Sequence, residues 1–339
     1  MPGEHLHLAG KKHTLNQLGT APRIFLCCIE RETRTEKNFT TKLRSAIAWT
    51  PASVNNAAMR MSRQEFLDWP NKAITLIGMS GVGKTMLASK LPQTSWFHYS
   101  GDYRIGTRYL NEAILDNIKR QAMEVEFLRD LLRSDSIYIA NNITVDNLEP
   151  ISTYLGKVGA ADKGGLPLDE FRHRQRMHRE AENRAMIDVE QFIEKAHDIY
   201  GYKHFVNDSG GSLCELNSKE PLEVLAKNTV LFYLRADDET EQKIIQRSLS
   251  APKPMYYQEA FLETKLAEYM SEKSYEDTDE IVPDEFSQWI FPELVVHRRP
   301  LYQGIADNYG YTLDAKNAEG ITTEQELLEL LADVIAAGP

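Results

Sequence analysis

The sequence predicts an α/β protein: a three-layer α/β/α fold with a mostly parallel five-stranded sheet and added helical segments. Two observations carry that expectation. From residue 73 onward, short apolar runs alternate with longer stretches whose Leu, Ile and Met residues recur every three or four positions, the pattern of strands joined by helical crossovers. The first of these runs leads directly into Gly78-Met79-Ser80-Gly81-Val82-Gly83-Lys84-Thr85, which fits G-x-x-x-x-G-K-[ST], the phosphate-cradling loop that joins a buried strand to a helix.

The elements follow in order. Residues 73–78 (AITLIG) form a continuous apolar run, as a strand covered on both faces should. Residues 95–100 form a second short run, and 107–134 carry helical spacing. Residues 136–142 (SIYIANN) read as a strand or as a buried loop. Residues 170–201 read as one long helix ending at a glycine, and 203–208 and 229–236 as strands. The acidic stretch within 257–295 suggests a solvated excursion. Residues 310–315 close the sheet, and 322–337 form an amphipathic helix. Its capping box fits either Thr322 with Gln325 or Thr323 with Glu326.

Residues 1–72 differ from the rest, with eleven Lys plus Arg against six Asp plus Glu in a chain of net charge -11. Little periodicity is sustained there, so a poorly structured basic extension is expected; the folded domain is expected to begin near 60–70, with its strand–helix part running over 73–339. Within that domain, insertions are expected at about 107–170 (helical) and 257–295 (a lid region). The overall acidity argues against a sequence-independent nucleic-acid binder, which presents excess Lys and Arg. No apolar run approaches the roughly 20 residues that cross a bilayer, and the first 25 residues lack the apolar block of a secretory signal. The three cysteines, Cys27, Cys28 and Cys214, have no zinc-like spacing and suit free thiols in a reducing cytoplasm.

The loop has a physical logic. Gly78, Gly81 and Gly83 let the backbone turn tightly and present its N–H groups to phosphate oxygens, with Met79, Ser80, Val82 and Met86 completing the cradle. Lys84 is expected to reach the β- and γ-phosphates of ATP and Thr85 to ligate Mg²⁺. The chain has no N-K-x-D guanine reader, and no apolar strand ends in consecutive carboxylates; Asp237-Asp238 falls after its strand. Elimination leans towards a small-molecule kinase.

Three further segments sharpen this: Ser100-Gly101-Asp102-Tyr103-Arg104-Ile105, the segment 205–213 (FVNDSGGSL), and the segment 298–315 with Arg298, Pro300, Leu301, Tyr302, Ala306 and Asp307. In order and spacing they resemble the shikimate kinases, within the wider class of nucleotide and metabolite kinases built on the same loop. The resemblance covers some 150 positions between 73 and 337 and implies roles for particular residues. Asp102 matches the second aspartate of the family's D-x-D, which grips the substrate hydroxyl; the alternative is an Asp capping the next helix. The first aspartate is replaced by Ser100. Metal binding then falls to Thr85, water and Asp208, for which a turn-forming role is the alternative.

Gly210 and Gly211 match the last two glycines of a triplet that touches substrate. Arg179 matches the arginine of F-R-x-x-E, with His178 for the aromatic, and Arg298 that of R-x-P-L-Y. In the family, both arginines bind a substrate carboxylate. Arg179 also fits a solvated helix face. Arg247 matches the arginine that stacks on adenine, and Lys253 replaces the lid arginine that clamps the transferring phosphate; a surface lysine is its alternative. The expectation is a kinase that moves the γ-phosphate of Mg-ATP to a hydroxyl of a small, anionic metabolite. The alternative is an ATPase or a nucleotide-regulated module whose inserted helices dock a protein partner. No membrane or nucleic-acid attachment is expected.

Overall fold

The computed structural model describes residues 59–338. Its order is α1 (Arg63–Asp68), β1 (Ala73–Ile77), α2 (Lys84–Ala88), β2 (Trp96–Ser100), α3 (Gly101–Arg104), α4 (Asn111–Glu124), α5 (Glu126–Arg133), α6 (Glu149–Leu155) and α7 (Leu168–Asp198). It continues with β3 (His204–Asp208), α8 (Lys219–Asn228), β4 (Val230–Arg235), α9 (Asp238–Ser250), α10 (Glu259–Lys273), α11 (Pro283–Tyr309), β5 (Gly310–Asp314) and α12 (Glu324–Ala337).

The five strands form one all-parallel sheet in the order β2-β3-β1-β4-β5. All five residues of β1 are buried, as are all of β3, so these central strands carry no solvent face. Successive side chains point to opposite faces, and their contacts show helices on both. On one face Tyr99 donates to Ala185 O of α7 at 2.6 Å, and Tyr233 stacks on Tyr302 of α11 at 5.4 Å. On the other, Trp96 Nε1 donates to Glu324 of α12 at 2.6 Å, and Phe232 meets Phe66 of α1 edge to face at 6.1 Å.

The folded body starts before residue 73. Ser62 and Glu65 form a reciprocal capping box that starts α1, and Phe66 is fully buried. Burial of that ring alone is worth about 2–3 kcal/mol. Arg60 donates to Gly310 O at 2.8 Å, fastening this segment to the start of β5. A start near 60–70 agrees with α1, and the poorly structured reading of 1–72 is corrected for 59–72; the part of that extension up to residue 58 lies outside the described residues, with Cys27 and Cys28.

Two other expectations change. Residues 136–142 form neither strand nor buried loop; Tyr138 is 88% exposed. The solvated excursion expected within 257–295 is confined to the acidic segment 271–280, which is largely exposed; the rest is packed. The stretch forms α10 and the first half of α11, with Leu262, Tyr269, Ile281, Phe286 and Ile290 buried. Part of its acidic charge sits at a short turn around Thr278–Glu280. At the other end, Thr323 caps α12, paired with Glu326. Among the described residues no helix is long and apolar enough to cross a membrane.

Candidate functional site

The sheet order itself locates a crevice. From β1 the chain moves to β2 and β3 on one side, then crosses to β4 and β5 on the other. In an open parallel sheet, the strand ends beside such a reversal leave a gap between diverging connections. The connections after β1, β2 and β3 all emerge there, carrying Gly78–Gly83, Asp102 and Ser209–Ser212.

Glycine is required at two points of the first connection. At Gly78 (φ +145°) a Cβ would lie 2.9 Å from Leu234 O, and Gly83 (φ +108°) begins α2 in the left-handed region. Met79 and Val82 are buried beneath the loop, while Ser80, Gly81, Thr85 and Met86 face outward. Lys84 is buried and folds back, its Nζ donating to Gly78 O at 2.8 Å and Met79 O at 3.1 Å. Burial pushes its pKa down, and the charges of Asp208, Asp102 and Glu182 partly offset this. Arg247 on α9 comes to the same loop, its Nη1 lying 3.6 Å from where a Cβ on Gly81 would stand.

Thr85 Oγ1 donates to Asp208 Oδ2 at 2.5 Å, so helix α2 and the end of β3 meet through one hydroxyl and one carboxylate. Among the described residues no group of three or more His, Cys, Asp or Glu side chains could hold a metal. A hard cation of the Mg²⁺ kind does not need one, since it is held by one or two protein oxygens with water and phosphate. The Thr85–Asp208 pair fits that description.

On the neighbouring strand end, Ser100 caps α3, its Oγ accepting from Tyr103 N at 3.3 Å. Asp102 is thereby excluded as the cap, and its carboxyl makes no hydrogen bond among the described residues. Burial pushes that carboxyl up to about 6; Lys84 pulls the other way and Asp208 adds to the rise. Across from it stands Glu182 of α7, fully buried, with Oε2 accepting from Ser212 Oγ at 2.5 Å and Oε1 without a partner. Burial pushes Glu182 up to about 7, the Ser212 hydrogen bond opposing and the Asp102 charge adding.

Gly210 lies between these two carboxylates: a Cβ there would overlap Glu182 Oε1 and sit 3.1 Å from Asp102 Oδ1. A Cβ on Gly211 would overlap the Ser80 hydroxyl and lie 2.8 Å from Ser80 N, so the tip of β3 lies against the glycine loop. Lys84, Asp102, Asp208, Gly210 and Gly211 thus converge, and Arg298 acts electrostatically on Lys84 from behind them.

Three residues stand apart from the roles the resemblance implies, two substrate contacts (Arg298, Arg179) and one phosphate clamp (Lys253). Arg298 is 2% exposed and already engaged. Its Nε donates to Glu215 Oε2 at 2.7 Å, Nη1 to Gly211 O at 3.0 Å, and Nη2 to the same carboxylate and to Tyr256 O at 2.8 Å. Its fork is filled by the protein. Arg179 is exposed and donates to Leu216 O at 2.8 Å; it lines a hollow of about 290 Å³ with Arg172, Arg176, Glu215 and Tyr256, a lining without Lys84 or Asp102. Lys253 is exposed on the connection between α9 and α10.

Glu182 and Glu215 were assigned no role from sequence. Glu182 is the second glutamate of the H-R-E-A-E segment, one helical turn after His178, so its helix face was legible although its partner was not. Compared with protein-family models and with curated proteins, the chain gives no match.

Proposed function

We propose that this chain is a phosphotransferase of the P-loop kinase type, moving the γ-phosphate of Mg-ATP to a hydroxyl of a small molecule in a cytoplasmic setting. One observation carries the reading. Asp102 presents a carboxyl with no hydrogen bond in the same crevice as Lys84 and Asp208, where a reacting hydroxyl would need a proton acceptor.

The residues divide the work. The 78–83 amides receive the phosphates, and Lys84 swings from its two carbonyl acceptors to the β- and γ-oxygens. Thr85 and Asp208 would hold the Mg²⁺, which supplies charge neutralisation between the phosphates. Asp102 orients the acceptor hydroxyl and takes its proton, while Gly210 and Gly211 let the tip of β3 pack against Glu182 and Ser80 instead of touching the acceptor. Arg247 lies where it can cover the nucleotide base. Arg298 acts as a positioning residue, tying α11 to Gly211, Glu215 and Tyr256 rather than gripping an anion. Lys253 is the candidate for closing over the transferring phosphate.

The test is ATP turnover in the presence of a cell-extract metabolite pool, followed by mass spectrometry for compounds that gain one phosphate. A gain that disappears with Asp102→Asn supports the reading. Equal ADP release with and without the pool favours the ATPase alternative.

A further inference from the structure

Independently of the kinase reading, we infer that the hollow between α7 and the start of α10 binds a small organic phosphate, gripped by Arg176 and Arg179. The hollow measures about 290 Å³, room for a phosphate on a short carbon skeleton. Its walls are α7, through Arg172, Arg176 and Arg179, the segment after β3, through Glu215, and the connection into α10, through Tyr256 and Gln258. None of the 78–83 loop, Lys84 or Asp102 is on that lining. The connection is held in place: Gln175 of α7 donates to Met255 O at 3.2 Å and accepts from Tyr257 N at 2.9 Å. Tyr256 also stacks on buried His178 at 5.5 Å. The walls are therefore fixed without a ligand, which lowers the ordering cost of binding one.

The charges around the hollow leave a cationic surplus. Arg172 is matched by Glu263 through two hydrogen bonds, at 2.8 and 2.7 Å, and Glu215 is matched by Arg298. Arg176 makes no hydrogen bond or ion pair among the described residues, and Arg179 uses only its Nε, on Leu216 O. The two lie three positions apart on α7, on one helix face. Against these two guanidinium groups stands one unmatched carboxylate, the exposed Glu259. Two amides add to the donors. Gln258 caps α10 by accepting from Phe261 N at 3.0 Å, which leaves the N–H groups of Glu259 and Ala260, both lining residues, without an acceptor. The positive end of a 15-residue helix thus opens on the same hollow. A carboxylate is satisfied by a single guanidinium fork. A phosphate monoester carries three acceptor oxygens and close to two charges, and matches two forks with a helix start.

The experiment uses matched probe sets, glycerol phosphate with glycerate and glycerol, and glucose phosphate with glucuronate and glucose, together with inorganic phosphate. Binding to the purified full chain is measured by calorimetry without nucleotide. Within at least one set the organic phosphate should bind about tenfold or more tighter than its acidic and neutral partners. The preference should persist in Lys84→Ala, which removes the lysine of the competing glycine loop. Arg176→Gln combined with Arg179→Gln should weaken the organic phosphate about tenfold or more, while circular dichroism stays native because both side chains are exposed. Arg176→Lys with Arg179→Lys keeps the charge without the fork and should retain part of the affinity. No binding of either organic phosphate at millimolar concentration, equal or tighter binding of the acids, or binding of inorganic phosphate alone overturns the inference. So does a preference that survives loss of both arginines, or one that disappears with Lys84→Ala. Binding at the arginines without phosphate gain on any acceptor under Mg-ATP rejects the kinase reading and leaves this one; phosphate gain without such binding does the reverse.

Discussion

Arg298 and Glu215 neutralise each other inside the protein: the Arg298 Nε donates to Glu215 Oε2 at 2.7 Å, and both side chains are at most 2% exposed. The pair joins helix α11 to the segment between β3 and α8, just behind the strand tip that touches the glycine loop. Arg298→Ala should destabilise the fold by about 3–5 kcal/mol, because it strands a buried carboxylate. Urea unfolding measures this. Replacing both partners, Arg298→Met with Glu215→Leu, should recover most of the loss. Were Arg298 only an acceptor contact, Arg298→Ala would leave unfolding unchanged and raise KM alone.

Asp102 should set the acid limb of the reaction. Its carboxyl titrates near 6 in the free chain, so kcat/KM should rise with pH through about 6 as the proton acceptor forms, then level. Asp102→Asn should lower kcat by about 10²- to 10⁴-fold and remove that limb, with ATP affinity nearly unchanged.

Lys84 should matter to nucleotide and little to folding. Its ammonium is buried at a cost and is satisfied by two carbonyls of its own loop. Lys84→Ala should weaken ATP binding by about ten- to a hundredfold by calorimetry, while circular dichroism stays native.

Glu182 should make stability fall as pH rises. The folded chain holds the Glu182 proton up to about 7, whereas the unfolded chain loses it near 4.5. Between those values folding takes up a proton, so this contribution is fully present below 4.5 and is lost as pH passes through 7. The span corresponds to about 3 kcal/mol. Glu182→Gln should flatten that part of the stability curve, and unfolding at several pH values checks it.

What could be read from sequence follows physical range. The strand at 73–78 stood out because a buried parallel strand is a continuous apolar run, and the glycine loop because its chemistry is local. The strand ends of a parallel sheet then had to gather Lys84, Asp102 and Asp208 at one edge. Helix α11 was obscured by Pro292 and Pro300 within it, and by the acidic turn before it, since proline and charge both read as interruptions. Helix α1 announced itself through Ser62 and Glu65, a capping box overlooked against a featureless background. The engagement of Arg298 was hidden because its partners, Gly211, Glu215 and Tyr256, are 87, 83 and 42 residues away.

The most direct measurement follows the label of ATP carrying an isotopic γ-phosphate, incubated with the chain, Mg²⁺ and the metabolite pool. The account predicts label on an organic hydroxyl compound, lost in Asp102→Asn. Label found only as inorganic phosphate, at a rate indifferent to the pool and to Asp102, would contradict it.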